Sequence, residues 1–132
     1  MKKDIVFDRD LIIVQAVISG KKNFNPYTVK MLLDTGSDKT ILKPPYIEAI
    51  GYSEKDKKQD LVVGTGSGTD KAYELQIYDL ECFGFNTQRF NVVVKDFPIA
   101  LHFFDGILGL DFFQKTKTEF TLNFQENWIE VK

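Results

Sequence analysis

The sequence predicts a single all-β domain over residues 1–132, with one or two short helices. Short apolar runs alternate with turn-forming residues along the chain, which is typical of many short strands. The 12 Phe, 5 Tyr and 1 Trp favour a core of aromatic and β-branched side chains. A chain of 132 residues is long enough to bury one such core. These observations indicate a mostly antiparallel barrel or sandwich.

The N-terminal half begins with a predicted hairpin, whose turn is Asp8-Arg9-Asp10. The last predicted strand of this half is followed by two prolines. A short helix is expected from Pro45 to Ile50, because proline fits the first helical turn and Gly51 can end the helix. The strands expected in this half lie at residues 5–7, 11–19, 27–33 and 39–42.

The C-terminal half is expected to hold further strand pairs and a second helix. That helix covers residues 111–115, and the Asp111 side chain is expected to cap its start. The chain then ends in a hairpin that turns at Glu126-Asn127. The strands expected in this half lie at residues 61–63, 72–80, 82–85, 90–95, 107–108, 120–124 and 128–131.

Charge and composition exclude several classes of function. The 17 basic and 19 acidic residues give a net charge of −2, so we expect neither nucleic acid nor an anionic membrane as a partner. Cys82 is the one cysteine and His102 the one histidine of the sequence, which excludes an internal disulfide and a multi-thiolate or multi-histidine metal site. We therefore expect no metal and no cofactor, and chemistry that depends on carboxylates, hydroxyls or backbone groups.

The N-terminal apolar run is interpreted as a buried strand. Residues 11–18 are interrupted by Gln15 and are too few to span a membrane. Acidic residues precede the run and no small-x-small cleavage site follows it, which disfavours a signal peptide. With a lone thiol, a reducing cytoplasm is the expected location.

The segment that carries the clearest chemical signal covers residues 31–37. Three apolar residues end abruptly in Asp34, Thr35, Gly36 and Ser37. A carboxylate at the end of a buried strand is costly unless it is hydrogen-bonded, and this turn offers hydroxyl and N–H donors. The alternative interpretation is an Asx turn that joins two strands.

A glycine-rich tip between two apolar strands gives the second signal. Thr69 occupies the position of the third glycine of a dinucleotide fingerprint, and Lys71 is not followed by Ser or Thr as in a phosphate loop. The tip is interpreted as a mobile hairpin with accessible backbone groups, and a hairpin with no functional role is the alternative. Its residues are Gly64, Thr65, Gly66, Ser67 and Gly68.

The third signal is a pair of buried aliphatic residues that run into a glycine and then a helix. These residues are Ile107, Leu108 and Gly109, and the glycine permits another chain segment to lie close. A plain strand-to-helix turn is the alternative interpretation.

In this order and spacing, the three segments resemble those of the retropepsin family, the single-lobe aspartic proteases of retroviral type. The resemblance covers residues 11–131 and is greatest to the bacterial single-domain members. It implies a closed β barrel with a flap hairpin and a short C-terminal helix. The flap corresponds to residues 64–68. Leu110 departs from the viral pattern, in which an arginine usually follows the glycine.

The resemblance implies a role for each residue of the Asp-Thr-Gly-Ser segment. Asp34 matches the catalytic aspartate, and Thr35 matches the threonine whose hydroxyl braces the two active loops of a dimer. Gly36 matches the glycine of the turn. We also expect the Ser37 hydroxyl to donate to the ionised carboxylates.

The function implied is that of an aspartic endopeptidase acting on an extended peptide or protein substrate. Peptide hydrolysis of this class needs two facing carboxylates that activate a water molecule, and the sequence contains a single Asp-Thr-Gly. A homodimer would bring two copies of Asp34 together on its two-fold axis. The alternatives are a catalytically weak or inactive peptide-binding or protein-binding module on the same fold, and a purely structural β domain.

Overall fold

A computed structural model describes residues 1–65, 68–97 and 103–132. In these residues the chain forms 13 strands, two α-helices and one turn of 3₁₀ helix over Glu54–Asp56. The helices are α1 (Pro44–Ala49) and α2 (Leu110–Thr116). The strands are β1 (Lys2–Asp4), β2 (Val6–Asp8), β3 (Leu11–Ser19), β4 (Tyr27–Leu33), β5 (Ile41–Leu42), β6 (Gln59–Thr65), β7 (Gly68–Ile77), β8 (Asp79–Cys82), β9 (Phe85–Asn86), β10 (Phe90–Val94), β11 (Gly106–Leu108), β12 (Phe120–Asn123) and β13 (Trp128–Val131).

The strands form one large and one small sheet. The large sheet has the order β6-β7-β10-β5-β11-β4-β3-β8-β9, and β2 pairs with β3 beside this path. The small sheet has the order β1-β13-β12. Pairing is antiparallel except between β5 and β10 and between β4 and β11, which run parallel. These parallel pairs join segments that are distant in sequence.

The predicted all-β class is confirmed, but the predicted closed barrel is not. The large sheet begins at β6 and ends at β9, and these end strands do not pair with each other in the described part of the chain. β9 has only two residues, and β6 is the outer strand of a long hairpin. Neither strand forms the hydrogen bonds with the opposite edge of the sheet that would close a barrel. The strands therefore form an open sheet.

The core divides into two clusters on opposite faces of β3 and β4. Val14 lies opposite Met31, and both belong to the larger cluster. Their neighbours Ile13 and Leu32 are also opposite each other and belong to the smaller cluster. Because successive side chains of a strand point to opposite faces, one strand pair supplies both clusters.

The short helix and the closing hairpin were predicted correctly from local signals. Helix α1 has proline in its first turn and is followed by Gly51, whose φ of +95° is accessible mainly to glycine. Strands β12 and β13 pair in register from Phe120↔Val131 to Asn123↔Trp128. None of the helices in the described ranges has the length and apolarity that crossing a membrane requires.

One strand was missed by the sequence analysis, and the strand predicted at residues 82–85 was wrong. The sequence pattern gave no sign of β1, because its residues are exposed and polar and are held by backbone pairing with β13. The strand expected at residues 82–85 is instead a turn between β8 and β9. Phe83 and Gly84 both have positive φ, at 56° and 82°, which matches the tight turn of a two-residue hairpin.

Candidate active site

Asp34 lies where β4 leaves the large sheet. Its backbone N–H donates to the carbonyl oxygen of Leu108 at 3.1 Å, which continues the parallel pairing of β4 with β11 by one residue. The side chain is half-buried, whereas the preceding Leu33 is buried. The sheet therefore fixes the backbone of Asp34 and leaves its carboxylate accessible.

A tight turn orients the Asp34 carboxylate. The Gly36 N–H donates to Oδ1 of Asp34 at 2.9 Å, whereas the Ser37 N–H donates to the main-chain oxygen of Asp34 at 3.1 Å. A Cβ at position 36 would lie 3.2 Å from that Oδ1, which is tighter than most contacts of a real Cβ. Thr35 and Gly36 are exposed, so the turn presents its tip to solvent.

The expected donation from the Ser37 hydroxyl to Asp34 is wrong for this chain. Ser37 Oγ donates instead to the carbonyl oxygen of Lys39 at 2.7 Å. Since a serine hydroxyl carries one proton, that donor is already used. Ser37 therefore shapes the turn that follows Asp34.

Gly109 lies against the same turn, where any larger residue would collide with main-chain atoms. A Cβ at position 109 would come within 2.5 Å of the Lys39 oxygen and 2.9 Å of the Ser37 oxygen. The next residue, Leu110, donates its backbone N–H to that Ser37 oxygen at 2.9 Å. The close approach inferred from the sequence at Gly109 is thus an approach to the loop that carries Asp34.

Thr40 and Asp111 form a contact that the sequence analysis missed. Thr40 is fully buried, at 0% exposed, and donates to the Asp111 carboxylate twice: N–H to Oδ2 at 3.0 Å and Oγ1–H to Oδ1 at 2.7 Å. Thr40 Oγ1 also accepts the Gly109 N–H at 3.2 Å. Burial raises the pKa of Asp111, although the hydrogen bonds from Thr40 act in the opposite direction.

The predicted capping role of Asp111 is therefore incorrect. Helix α2 has Gly109 at its N-cap with no side-chain hydrogen bond there, and Asp111 lies inside the first turn. Its carboxylate is directed to the Asp34 loop. The sequence offered one signal for this contact: Asp111 is acidic and lies two positions after Gly109, which was expected to lie close to another chain segment. No feature of the sequence indicated Thr40 as its partner.

Apolar side chains line the sheet face beside Asp34. Leu32, Ile107 and Ile41 are neighbours across β4, β11 and β5, and each is half-buried. Phe103 packs against the same cluster and contacts Phe104 edge to face, with ring centroids 4.9 Å apart. The loop that carries the carboxylate is thus bordered by an apolar wall.

Lys43 is buried at the edge of this wall. Only 7% of it is exposed, and its Nζ donates to the carbonyl oxygen of Phe104 at 2.5 Å. The ammonium also lies 5.1 Å from the ring centre of Phe97 and 5.5 Å from that of Phe104. Burial lowers the pKa of Lys43, and the nearby carboxylates of Asp105 and Asp96 counteract this effect.

The predicted flap corresponds to the hairpin of β6 and β7. Gly64 pairs with Thr69 and Thr65 with Gly68, so the antiparallel pairing of β6 and β7 continues as far as these residues. Gly66, Ser67 and also His102 lie outside the described residues.

Comparisons with known proteins agree with this geometry. Residues 21–115 match the family described as gag-polyprotein putative aspartyl protease, and this range includes the Asp34 turn and the Gly109 segment. A crystal structure of a retropepsin-like aspartic protease from Rickettsia conorii superimposes with a TM-score of 0.70 at 16% sequence identity, covering 100% of this chain and 98% of that one. At this identity the likeness shows the fold alone. No curated protein matches the chain significantly.

Proposed function

Because this chain belongs to the gag-polyprotein aspartyl protease family and has a retropepsin-like fold, we propose that it is an aspartic endopeptidase with Asp34 as its catalytic residue. One observation carries the proposal. The Asp34 carboxylate stands at the end of a buried strand, is oriented by the Gly36 N–H at 2.9 Å, and lies beside an exposed tip. The close packing of Gly109 and the hydrogen bonds to residues 108–110 hold this loop in addition to the contact from Gly36.

The proposed enzyme is a homodimer, because the mechanism needs two carboxylates and the sequence has one Asp-Thr-Gly. In a two-fold dimer the exposed residues Thr35 and Gly36 would meet their own copies near the axis. The partner chain then contributes the second Asp34, so the site is incomplete without it and an isolated chain is inactive.

In the proposed mechanism the two Asp34 carboxylates share one proton, since two close like charges do not both ionise. The ionised member accepts a proton from a water molecule as the water oxygen attacks the carbonyl carbon of the peptide. The protonated member donates to the carbonyl oxygen. The tetrahedral intermediate then breaks its C–N bond: the leaving nitrogen receives a proton from the pair, and one hydroxyl of the intermediate returns a proton to the pair, which again holds a single proton. The apparent pKa values belong to the pair as a whole.

The proposed substrate is a peptide bound in an extended conformation. Backbone groups of the hairpin of β6 and β7 would pair with it as a strand, which leaves alternate side chains to be recognised by pockets. The apolar wall formed by Leu32, Ile41 and Ile107 lies beside Asp34 and suits an apolar side chain next to the cleaved bond. The substrate is thus an extended segment with a large apolar residue at its centre.

The direct test is cleavage of unfolded casein between pH 3 and 7 by the wild type and by Asp34→Asn. The variant removes the ionisable group, so the rate should fall by about a hundredfold to ten-thousandfold. Asp4→Asn, which changes an exposed carboxylate on β1 outside the hairpin of β6 and β7, is the matched control. The molecular mass of all three proteins in solution distinguishes loss of catalysis from loss of the dimer.

The outcome that contradicts the proposal is equally specific. If the folded, dimeric wild type cleaves casein no faster than Asp34→Asn at any pH, the chain is not a peptidase. Retained binding of extended peptides by both proteins would then support a binding module on the same fold.

A further inference from the structure

The Asp34 loop is held by hydrogen bonds to three consecutive residues of the segment that links β11 to α2. Leu108 accepts from the Asp34 N–H, and Leu110 donates to the Ser37 oxygen. Between them, Gly109 donates to the hydroxyl of Thr40, a residue with no exposed surface. The two outer bonds join main-chain atoms, whereas the middle bond depends on a side chain.

That middle bond is oriented by Asp111. A threonine hydroxyl has one proton and can accept from an N–H only while its own proton points elsewhere. Here the proton points to Asp111 Oδ1 at 2.7 Å, and the Thr40 N–H points to Oδ2 at 3.0 Å. The carboxylate thus fixes the main chain at residue 40 and also leaves the hydroxyl lone pairs free for Gly109.

We propose that Asp111 is a positioning residue for the Asp34 loop, and that it acts through Thr40 to fix the distance between this loop and Gly109. Its consequence for catalysis rests on the proposed function of Asp34. The arrangement requires a carboxylate, because both hydrogen bonds from Thr40 need an acceptor. An asparagine offers one acceptor oxygen and turns an NH₂ donor toward the second Thr40 group.

The charges around Asp111 are consistent with this role. Lys39 faces it from the loop and favours the ionised form, and Lys115 follows one turn later on its own helix. Asp111 also lies in the first turn of α2, where a negative charge is favourable. These groups oppose the cost of burying the carboxylate.

The test compares Thr40→Val, which removes the hydroxyl and keeps the shape, with Thr40→Ser, which keeps the hydroxyl. Amide hydrogen exchange is measured at Gly109 and Leu110, with Ile129 in β13 as the distant reference. Thr40→Val should speed exchange at the first two amides by about tenfold and leave Ile129 within about twofold. Thr40→Ser should restore the wild-type rates.

Peptide hydrolysis gives the second readout. Thr40→Val should lower kcat by about tenfold with KM within about twofold, because the loop that holds the reacting group is loosened while the apolar wall is unchanged. Thr40→Ser should recover most of kcat. Asp111→Asn is measured in the same way and should show a smaller loss of kcat and a smaller acceleration of exchange at Gly109, because one of the two acceptors for Thr40 remains. This variant also replaces Thr40→Val if that protein does not fold.

Three results overturn the proposal: unchanged exchange at Gly109, an equal acceleration at Ile129, or an unchanged kcat in a folded Thr40→Val dimer. Equal acceleration would mean that Thr40 contributes only global stability. If the wild type hydrolyses no peptide, the proposed peptidase function fails. The exchange data then decide alone whether Asp111 orders the loop.

Discussion

The loop at residues 34–40 and the small sheet of β1, β13 and β12 are built by different means. The loop lies against residues 108–111 through a glycine that has no room for a Cβ and a buried threonine bonded to a carboxylate. The small sheet is held by regular antiparallel pairing, with exposed or half-buried side chains on one face. Backbone pairing is compatible with many different side chains, whereas the conformation of the loop depends on particular residues, namely Thr40, Gly109 and Asp111.

This difference indicates where sequence changes are tolerated. In the small sheet, a new side chain on the outer face meets water and leaves the ladder intact. At the loop, one added methyl group meets main-chain oxygens that are themselves held in hydrogen bonds. The most sensitive residues of the molecule should therefore lie behind Asp34 and not at the sheet termini.

The largest effect is expected for Gly109→Ala. The added Cβ would lie 2.5 Å from the Lys39 oxygen, so the loop or helix α2 must move. The cost should be about 3 kcal/mol of unfolding free energy, at the upper end for overpacking. Urea unfolding of the wild type and the variant measures this loss. A loss below about 1 kcal/mol would show that the loop can adjust to an added side chain as readily as the small sheet does.

A smaller, pH-dependent effect is expected for Asp111→Asn. Burial raises the pKa of Asp111 in the folded state, so between its unfolded value of 3.8 and the raised value the folded state binds more protons. The wild type should therefore lose stability relative to Asp111→Asn as pH rises through this window.

Urea unfolding of both proteins at several pH values between 3 and 7 gives the sign of this effect. A difference that grows in favour of the wild type with rising pH would mean that the hydrogen bonds from Thr40 outweigh burial at Asp111. The conformation of the loop would then depend strongly on the ionised carboxylate of Asp111.

The smallest effect is expected in the small sheet itself. Thr121 is exposed on β12, where it pairs with Glu130. Thr121→Val keeps the β-branched shape and should change the unfolding free energy by less than about 0.5 kcal/mol. Thermal unfolding checks this value, and a loss above about 1 kcal/mol would indicate that this face is also specifically packed.

Much of this architecture was predictable from local signals. The proline and glycine that bound α1, the hairpin at residues 120–131 and the end of β4 at Leu33 all follow from turn chemistry and apolar periodicity. Features that depend on backbone pairing alone were not predictable. Strand β1 has no apolar pattern. Whether the edge strands pair, which distinguishes a barrel from an open sheet, cannot be inferred from composition.

At the candidate site, the sequence identified the turn but not what lies behind it. The contact from Gly36 to Asp34 spans two residues and follows from the motif. The contact between Thr40 and Asp111 spans 71 residues and exists only because β4 and β11 run side by side. For the same reason Ser37 was assigned the wrong acceptor, since the Lys39 carbonyl becomes available only when the loop folds back.

The parallel pairing of β4 with β11 also sets an order of events during synthesis. Asp34 is made early, but the strand that receives its backbone N–H is made more than 70 residues later. Contacts of such long range form slowly and late in folding. A nascent chain that ends before residue 108 therefore carries the aspartate without the support that orients its loop, and the loop reaches its final geometry only after the strand at residues 106–108 has been made.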